Sequence, residues 1–332
     1  MNKTGIPYLD FCWNPGGFGC TNSANCPTCW SRRQATQPGP TRPTCPDCQA
    51  FRVHFHSERL TRKLSPEGRR KPAVIGVQFL GDLFDPARPI EQILSVLELM
   101  QRAPQHTYVL LTQQPARAAS VLERFYVSRT CPACNGIGSV TAMRGVGEFQ
   151  HAETIHCRTC GGQKTVGWAL PDNWFIGATI KQDYGAWTPS ALIALLGIRG
   201  RRWLSIEPIE GPVCDMFSGL PPGAIEGVIF GADNQPSAPW SLDWIADAVR
   251  SMTAVPSMPG PAIYVKQLWM WNCPNCDALW PTPAGENGQG HCACGTSGDY
   301  FRKTLVTDAN EFPSGLQLRQ LPWTLTTKGG HE

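Results

Sequence analysis

Short apolar runs alternate along the chain with segments in which apolar residues recur every three or four positions. That alternation predicts a mainly parallel sheet whose strands are joined by helices. The runs are Tyr8 to Trp13, Ala73 to Leu80, Thr107 to Thr112, Trp174 to Ile180, Arg202 to Ile206, Gly227 to Ala232 and Ala262 to Leu268, rich in β-branched and aromatic residues. Between the second and third, Ile90, Ile93, Leu94, Leu97 and Met100 lie on one face of a helix over Ile90 to Arg102. Ala116 to Tyr126, Pro189 to Leu196 and Trp240 to Met252 are the other helices, the last with Ser241 as N-cap and Trp244, Ile245, Ala248, Val249 and Met252 on one face. The count and order of these elements suit an α/β fold, a partial (β/α) barrel of TIM type.

Polar residues fall at or just after the carboxyl ends of these strands, where β/α barrels place their chemistry. They are Gln78 and Asp82, Thr112 and Gln113, Thr179 and Lys181, Ser205 and Glu207, Asp233 and Asn234, and Lys266 and Gln267. Each taken singly reads as an ordinary strand-end or capping residue. Six such pairs on one rim point to a site.

Composition narrows the setting. With 332 residues, 42% of them apolar and 17% charged, the chain has room for one large domain plus insertions. No apolar stretch approaches the roughly eighteen residues of a membrane span, and the first residues lack the apolar core of an export signal. The expected location is the cytoplasm, with no membrane partner. There, 15 cysteines, mostly in close pairs, read as reduced metal ligands rather than disulfides. A net charge of +3 does not by itself argue for nucleic acid, and the basic clusters Arg59 to Lys71 and Arg199 to Arg202 read first as solvated charge.

The cysteines carry the chemistry. Cys20, Cys26 and Cys29 lie within ten residues on a small, polar loop, followed by the aromatic Trp30. Three thiolates so placed ligate three corners of a 4Fe-4S cluster and leave the fourth iron open. Zinc competes for the same atoms: Cys26-x2-Cys29 and Cys45-x2-Cys48, with 15 residues between them, have the spacing of a zinc ribbon. On spacing alone zinc ranks first, and the rest of the chain reverses that order. Cys131, Cys134, Cys157 and Cys160 form two glycine-flanked knuckles that make a closed structural zinc site and resemble the zinc modules of DnaJ-type chaperones. Cys273, Cys276, Cys292 and Cys294 form a second four-cysteine zinc set. Cys45 and Cys48 are a third candidate zinc site, with Cys12, His54 and His56 as possible partners among which spacing does not choose. Cys214 stands outside every pair and reads as a small packing residue.

Taken in order, Trp13-Asn14-Pro15, Gly19-Cys20, Cys26-x2-Cys29-aromatic, His56-x-Glu58-Arg59-Leu60, Gly81-Asp82-Leu83-Phe84, Pro104-Gln105-His106-Thr107, Leu111-Thr112, Ser205-x-Glu207-Pro208 and Lys266-Gln267-x-Trp269 resemble the successive motifs of phage-encoded proteins similar to radical S-adenosylmethionine (SAM) enzymes. The match spans Tyr8 to Trp269, with a weaker echo at Gly315 to Trp323. It departs from the superfamily's usual Cys-x3-Cys-x2-Cys in its longer first interval, and it leaves Cys45 and Cys48 unexplained. The resemblance implies a radical SAM barrel distantly similar to spore photoproduct lyase, with Cys20, Cys26 and Cys29 on the cluster and SAM on the open iron. Strand position and resemblance together place Trp30, Gly81, Asp82, Thr112, Thr179 and Glu207 around SAM, with Asp82, Glu207 and Lys266 as the catalytic contacts.

The expected organisation is a barrel over residues 1–130 and 169–270 with a cysteine-containing insertion near 31–50. Zinc modules occupy 131–168 and 271–300, and a tail over 301–332 packs on the barrel. The activity implied is modification of a nucleobase in phage DNA, by an isomerase converting N-linked to C-linked glycyl-thymidine during thymidine hypermodification. DNA or a modified nucleotide is then the substrate, and a flavodoxin or ferredoxin is the external electron donor. The alternatives are a radical SAM lyase repairing a thymine lesion, with Cys214 as hydrogen donor, and a non-catalytic zinc-binding nucleic-acid adaptor. Twelve tryptophans, Trp168, Trp174, Trp187, Trp269 and Trp271 among them, offer stacking surfaces for an extruded base, although most read as core.

Overall fold

The computed structural model describes residues 1–22, 26, 29–40, 42–127, 139–144, 151–156, 170–180, 182–183, 186–187, 189–217, 220–221, 223–232, 241–253, 260–272, 274–276, 279–280, 294, 302–307, 310 and 318. In chain order the strands are β1 (Asn2–Lys3), β2 (Phe11–Trp13), β3 (Val74–Val77), β4 (Thr107–Thr112), β5 (Ser139–Arg144), β6 (His151–His156), β7 (Trp174–Thr179), β8 (Gln182–Asp183), β9 (Ala186–Trp187), β10 (Arg201–Ile206), β11 (Gly227–Gly231), β12 (Ala262–Asn272), β13 (Leu279–Trp280) and β14 (Arg302–Val306). The helices are α1 (Trp30–Thr36), α2 (Pro46–Gln49), α3 (Ile90–Arg102), α4 (Pro115–Val127), α5 (Pro189–Leu196), α6 (Cys214–Phe217) and α7 (Leu242–Thr253).

Strands β2, β3, β4, β7, β10, β11 and β12 lie side by side in that order, every neighbouring pair parallel. Spatial order equals chain order, so the sheet winds in one direction without the reversal of a doubly wound fold. The protein is therefore a mixed α/β fold built on a mostly parallel sheet.

Period-two alternation assigns each strand residue a face. Ile75, Tyr108, Leu110, Ile176, Leu204, Phe230 and Val265 join α3, α4 and α7 in the larger core through Ile93, Leu97, Leu122 and Ile245. Their neighbours Val109, Phe175, Trp203, Ile229 and Tyr264 turn to the opposite face and cluster with Tyr8 and Leu9. Small residues make room there: a Cβ on Gly177 would lie 2.2 Å from the Trp203 indole, and one on Gly76 would lie 2.5 Å from Leu9. Tyr8, just before β2, meets Tyr264 of β12 edge to face with ring centroids 5.6 Å apart, so the two ends of the parallel array approach each other across this inner cluster.

Two findings refine the expected organisation. The hairpin of β5 and β6, in register from Ser139 opposite His156 to Arg144 opposite His151, lies between the knuckles at 131–134 and 157–160; those four cysteines fall outside the described residues. The last parallel strand continues past its expected end to Asn272, and its distal half pairs antiparallel with β13 and β14. The segment expected to be a separate module from residue 271 thus begins as an extension of the sheet. Of its cysteines, Cys276 and Cys294 are exposed, while Cys273 and Cys292 are outside the described residues. From the tail, Leu318 accepts a 2.9 Å backbone bond from Val265.

Candidate functional site

The loop that leaves β2 is held by side chains distant in sequence. Trp13 donates its indole N–H to the Arg59 carbonyl at 3.0 Å, and Arg59 returns a 2.6 Å bond to the Asn14 carbonyl. Gln78 is fully buried with a φ of 59°, a costly conformation for a residue with a side chain. Its amide accepts from the Gly16 N–H at 2.7 Å and donates to the Gly17 carbonyl at 2.8 Å, satisfying two buried backbone groups at once. Gly19 then passes so close to the loop after α2 that a Cβ would lie 2.1 Å from the Arg52 carbonyl, and it bridges to Gly81 beyond the end of β3. Just beyond, buried Asp85 accepts the Thr21 N–H at 2.7 Å and fixes the chain leaving Cys20.

Cys20, Cys26 and Cys29 line one cleft of about 510 Å³ at the carboxyl ends of the parallel strands. The Cys20 sulfur accepts the Asn22 N–H at 3.3 Å, and the Cys29 sulfur caps α1 by accepting the Arg32 N–H at 3.4 Å. Burial, with smaller contributions from Asp82 and Asp85, pushes the Cys20 thiol up to about 12, and the neighbouring Cys26 thiol pushes Cys29 upward as well. Any thiophilic metal entering here therefore displaces protons as it binds.

The opposite wall comes from the strand ends. Glu207 forms an ion pair with Lys266 at 3.0 Å and accepts from the Ser205 hydroxyl at 3.1 Å. Gln267 donates to the Ala232 carbonyl at 2.7 Å, Asn22 hydrogen-bonds Gln113, and Thr179 completes the polar lining. Tyr8, Phe79 and Leu111 make the apolar floor, while Trp30 stands at the rim with 46% of its surface exposed.

Asp82 borders the cleft but directs its carboxylate inward. It accepts from the Thr112 hydroxyl at 2.8 and 2.9 Å, from the Gln113 N–H at 2.8 Å and from the Phe84 N–H at 2.9 Å, tying the end of β4 to the loop after β3. Burial nevertheless raises its pKa above the ordinary carboxylate value. Replacing Thr112 with valine keeps the shape and removes one donor to this buried charge. The expected cost is about 1.5–3 kcal/mol at neutral pH. Because the lost bond favoured the ionised form, the deficit shrinks as pH falls through the raised Asp82 value; urea midpoints of both proteins across pH check this.

Beside the cysteine loop lies a second, compact cluster. The ligand atoms of Cys45, Cys48, His54 and His56 all fall within 4.8 Å of one another. Cys48 Sγ is 3.2 Å from His54 Nε2 and 3.4 Å from His56 Nε2, Cys45 Sγ is 3.7 Å from His54 Nε2, and the two Nε2 atoms are 2.9 Å apart. A tetrahedral zinc ion with ordinary bond lengths separates sulfur from nitrogen by about 3.6 Å and nitrogen from nitrogen by about 3.3 Å, so the set could hold a metal such as zinc. Its four donors complete themselves without Cys26 and Cys29. Cys12, the other partner considered, sits on β2 against the inner cluster and takes no part.

Several expectations resolve differently from the rim as a whole. Lys181, Asp233, Asn234 and Trp168 lie outside the described residues. Cys214 starts α6, with its thiol 3.7 Å from Asp215, and is not among the residues lining the cleft. Part of the expected solvated charge is structural: Arg59 binds the Asn14 carbonyl, Arg69 stacks 4.3 Å over Phe11, and Arg202 donates to the Leu196 carbonyl at 2.9 Å. Sequence reasoning missed Asn22, Asp85 and Arg88. Asp85 follows directly on the Gly81 to Phe84 motif, which was the available signal; nothing local marks the other two.

Fold and site define a mixed α/β protein with a cysteine-lined cleft at the strand ends and a Cys2His2 cluster beside it. A family model matches residues 3–292, and the chain belongs to that family, described as "Protein of unknown function (DUF5131)". No curated protein and no solved structure matches the chain.

Proposed function

We propose that the protein is a radical SAM enzyme, its parallel sheet a partial (β/α) barrel, acting on a nucleobase in phage DNA within the host cytoplasm. The observation carrying this reading is the allocation of thiols. Among the described residues, Cys45 and Cys48 find their own partners in His54 and His56, leaving Cys20, Cys26 and Cys29 together at a cleft as a set of three. Three sulfurs with backbone N–H donors to two of them suit a 4Fe-4S cluster with one open iron better than a closed zinc site, which takes four. Such a cluster, with SAM bound, supplies one-electron chemistry for taking hydrogen from carbon.

The chain's own residues then act as binders. Glu207 and Lys266 present opposite charges to the same cleft, an arrangement suited to the ammonium and carboxylate of an amino-acid moiety, whether that of SAM or of a glycyl group on thymidine. Thr179, Gln113 and Asn22 offer further hydrogen bonds, and Trp30 at the rim offers a face for a base. Asp82 serves this site as a positioning residue, its oxygens occupied by Thr112, Gln113 and Phe84. We favour the isomerase of N-linked to C-linked glycyl-thymidine over a repair lyase, because Cys214, the hydrogen donor a lyase would use, does not line the cleft.

The test is anaerobic reconstitution with iron and sulfide, followed by incubation with SAM, a flavodoxin or chemical reductant, and DNA carrying glycyl-thymidine. The expected result is reductive SAM cleavage and a nucleoside of unchanged mass but altered retention. Zinc without iron, no SAM cleavage and salt-sensitive DNA binding would instead identify a nucleic-acid adaptor. Replacing Glu207 with glutamine is expected to slow SAM cleavage roughly ten- to a hundred-fold, the worth of one hydrogen bond to a charged group.

A further inference from the structure

We propose that the Cys45, Cys48, His54 and His56 cluster holds zinc(II), and that this ion braces the loop presenting Cys20. The first argument is the tautomers. His54 Nδ1 lies 2.8 Å from the Arg52 carbonyl and His56 Nδ1 lies 2.8 Å from a Glu58 carboxylate oxygen, so in the neutral rings both protons belong on Nδ1. Both Nε2 atoms then direct lone pairs at each other across 2.9 Å, with the Cys48 sulfur within 3.4 Å of each. Two facing lone pairs repel, and a cation between them removes the repulsion. Carbonyl and carboxylate acceptors on the far ring nitrogens are also the partners that orient metal-bound histidines.

The second argument is what the site touches. Gly17 has a φ of +59°, and a Cβ there would lie 2.8 Å from His54 Nε2 and 2.9 Å from Cys48 Sγ, so the loop backbone is packed directly on the ligand atoms. The His56 N–H donates to the Pro15 carbonyl at 2.7 Å, and Phe18 packs in one small cluster with Cys48. Buried Arg88 donates to the His54 carbonyl at 2.9 Å while its guanidinium occupies the space beside Gly16. Apolar support is slight: Phe18, Ala35, Cys48 and Phe51 form a small cluster of their own, to which Cys20 and Cys29 attach. Segments with so little core are the ones a metal stabilises. Zinc at this site therefore holds residues 15–18, and through Gly19 sets the position of Cys20.

The test uses the full chain purified in air, without iron, so its outcome is independent of the radical SAM reading. Zinc per chain is measured alongside hydrogen exchange of the peptide covering residues 14–20. The double variant H54A/H56A is expected to lose one zinc per chain and to exchange that peptide about tenfold faster or more. Cys214→Ala, on α6 and not among the four ligands, is expected to leave its exchange unchanged. Gly17→Ala keeps all four ligands yet is expected to release zinc at roughly tenfold lower chelator concentration, which preserves the test should the double variant fail to fold. An unchanged zinc content in H54A/H56A overturns the metal site; loss of zinc with unaltered exchange at 14–20, or an unchanged chelator profile in G17A, overturns the brace.

Discussion

Replacing Cys20 with alanine is expected to take the anaerobically reconstituted protein from about four irons per chain to nearly none, to abolish reductive SAM cleavage, and to leave its zinc content unchanged. Two sulfurs do not retain a cubane, so loss of any one of the three ligands has the same result. Cys20 is the informative choice because it lies between the two sites: its loop leans on the Cys2His2 cluster through Gly17, yet its sulfur faces the cleft. A zinc ribbon built from Cys26, Cys29, Cys45 and Cys48 makes the opposite forecast. In that case the C20A protein keeps its metal, and Cys26→Ala loses zinc. Iron and zinc analysis of the two variants side by side separates the readings.

The largest expected effect on stability is at Trp203. Its indole is fully buried on the inner face of the sheet, fills the space that Gly177 leaves, and donates to the Leu110 carbonyl at 3.1 Å. Truncation to alanine is expected to cost about 3–5 kcal/mol, the usual penalty for removing a large buried aromatic ring where surrounding strands cannot collapse into the void. Trp203→Phe, which loses the N–H and part of the ring, is expected to cost about 1–2 kcal/mol. Chemical unfolding midpoints measure both. Because Trp203 lies two residues before Ser205 on the strand leading to Glu207, the alanine variant should also bind substrate or SAM less well; a destabilised protein with an undisturbed cleft would show that inner cluster and site are independent.

Much of the fold was legible in advance because periodicity reports burial. The helix over Ile90–Arg102 and the strand over Thr107–Thr112 match their expected bounds, since each has a sustained apolar pattern and a clear end. The last strand was cut short at Leu268. Its continuation to Asn272 depends on antiparallel partners at 279–280 and 302–306, and the pattern within 262–272 announces neither. The rim of strand-end residues was legible for the same reason as the strands: a parallel sheet puts every carboxyl end on one side. What each rim residue does was not. Asp82 and Glu207 are both acidic residues near strand ends, yet one is enclosed by Thr112, Gln113 and Phe84 while the other pairs with Lys266 at the cleft.

By itself the amino-acid sequence determined the order of the parallel strands and of the four helices α3, α4, α5 and α7, the side of the sheet that carries polar residues, and the presence of thiols in close pairs, because all of these follow from short-range spacing. Only the tertiary structure decided which histidines join Cys45 and Cys48, that Cys12 does not, and that the loop from Asn14 to Cys20 rests on that cluster and on buried Gln78. Ligand sets and loop braces join residues brought together by chain reversals. Spacing in sequence limits the candidates for such contacts, but the folded path of the backbone chooses among them.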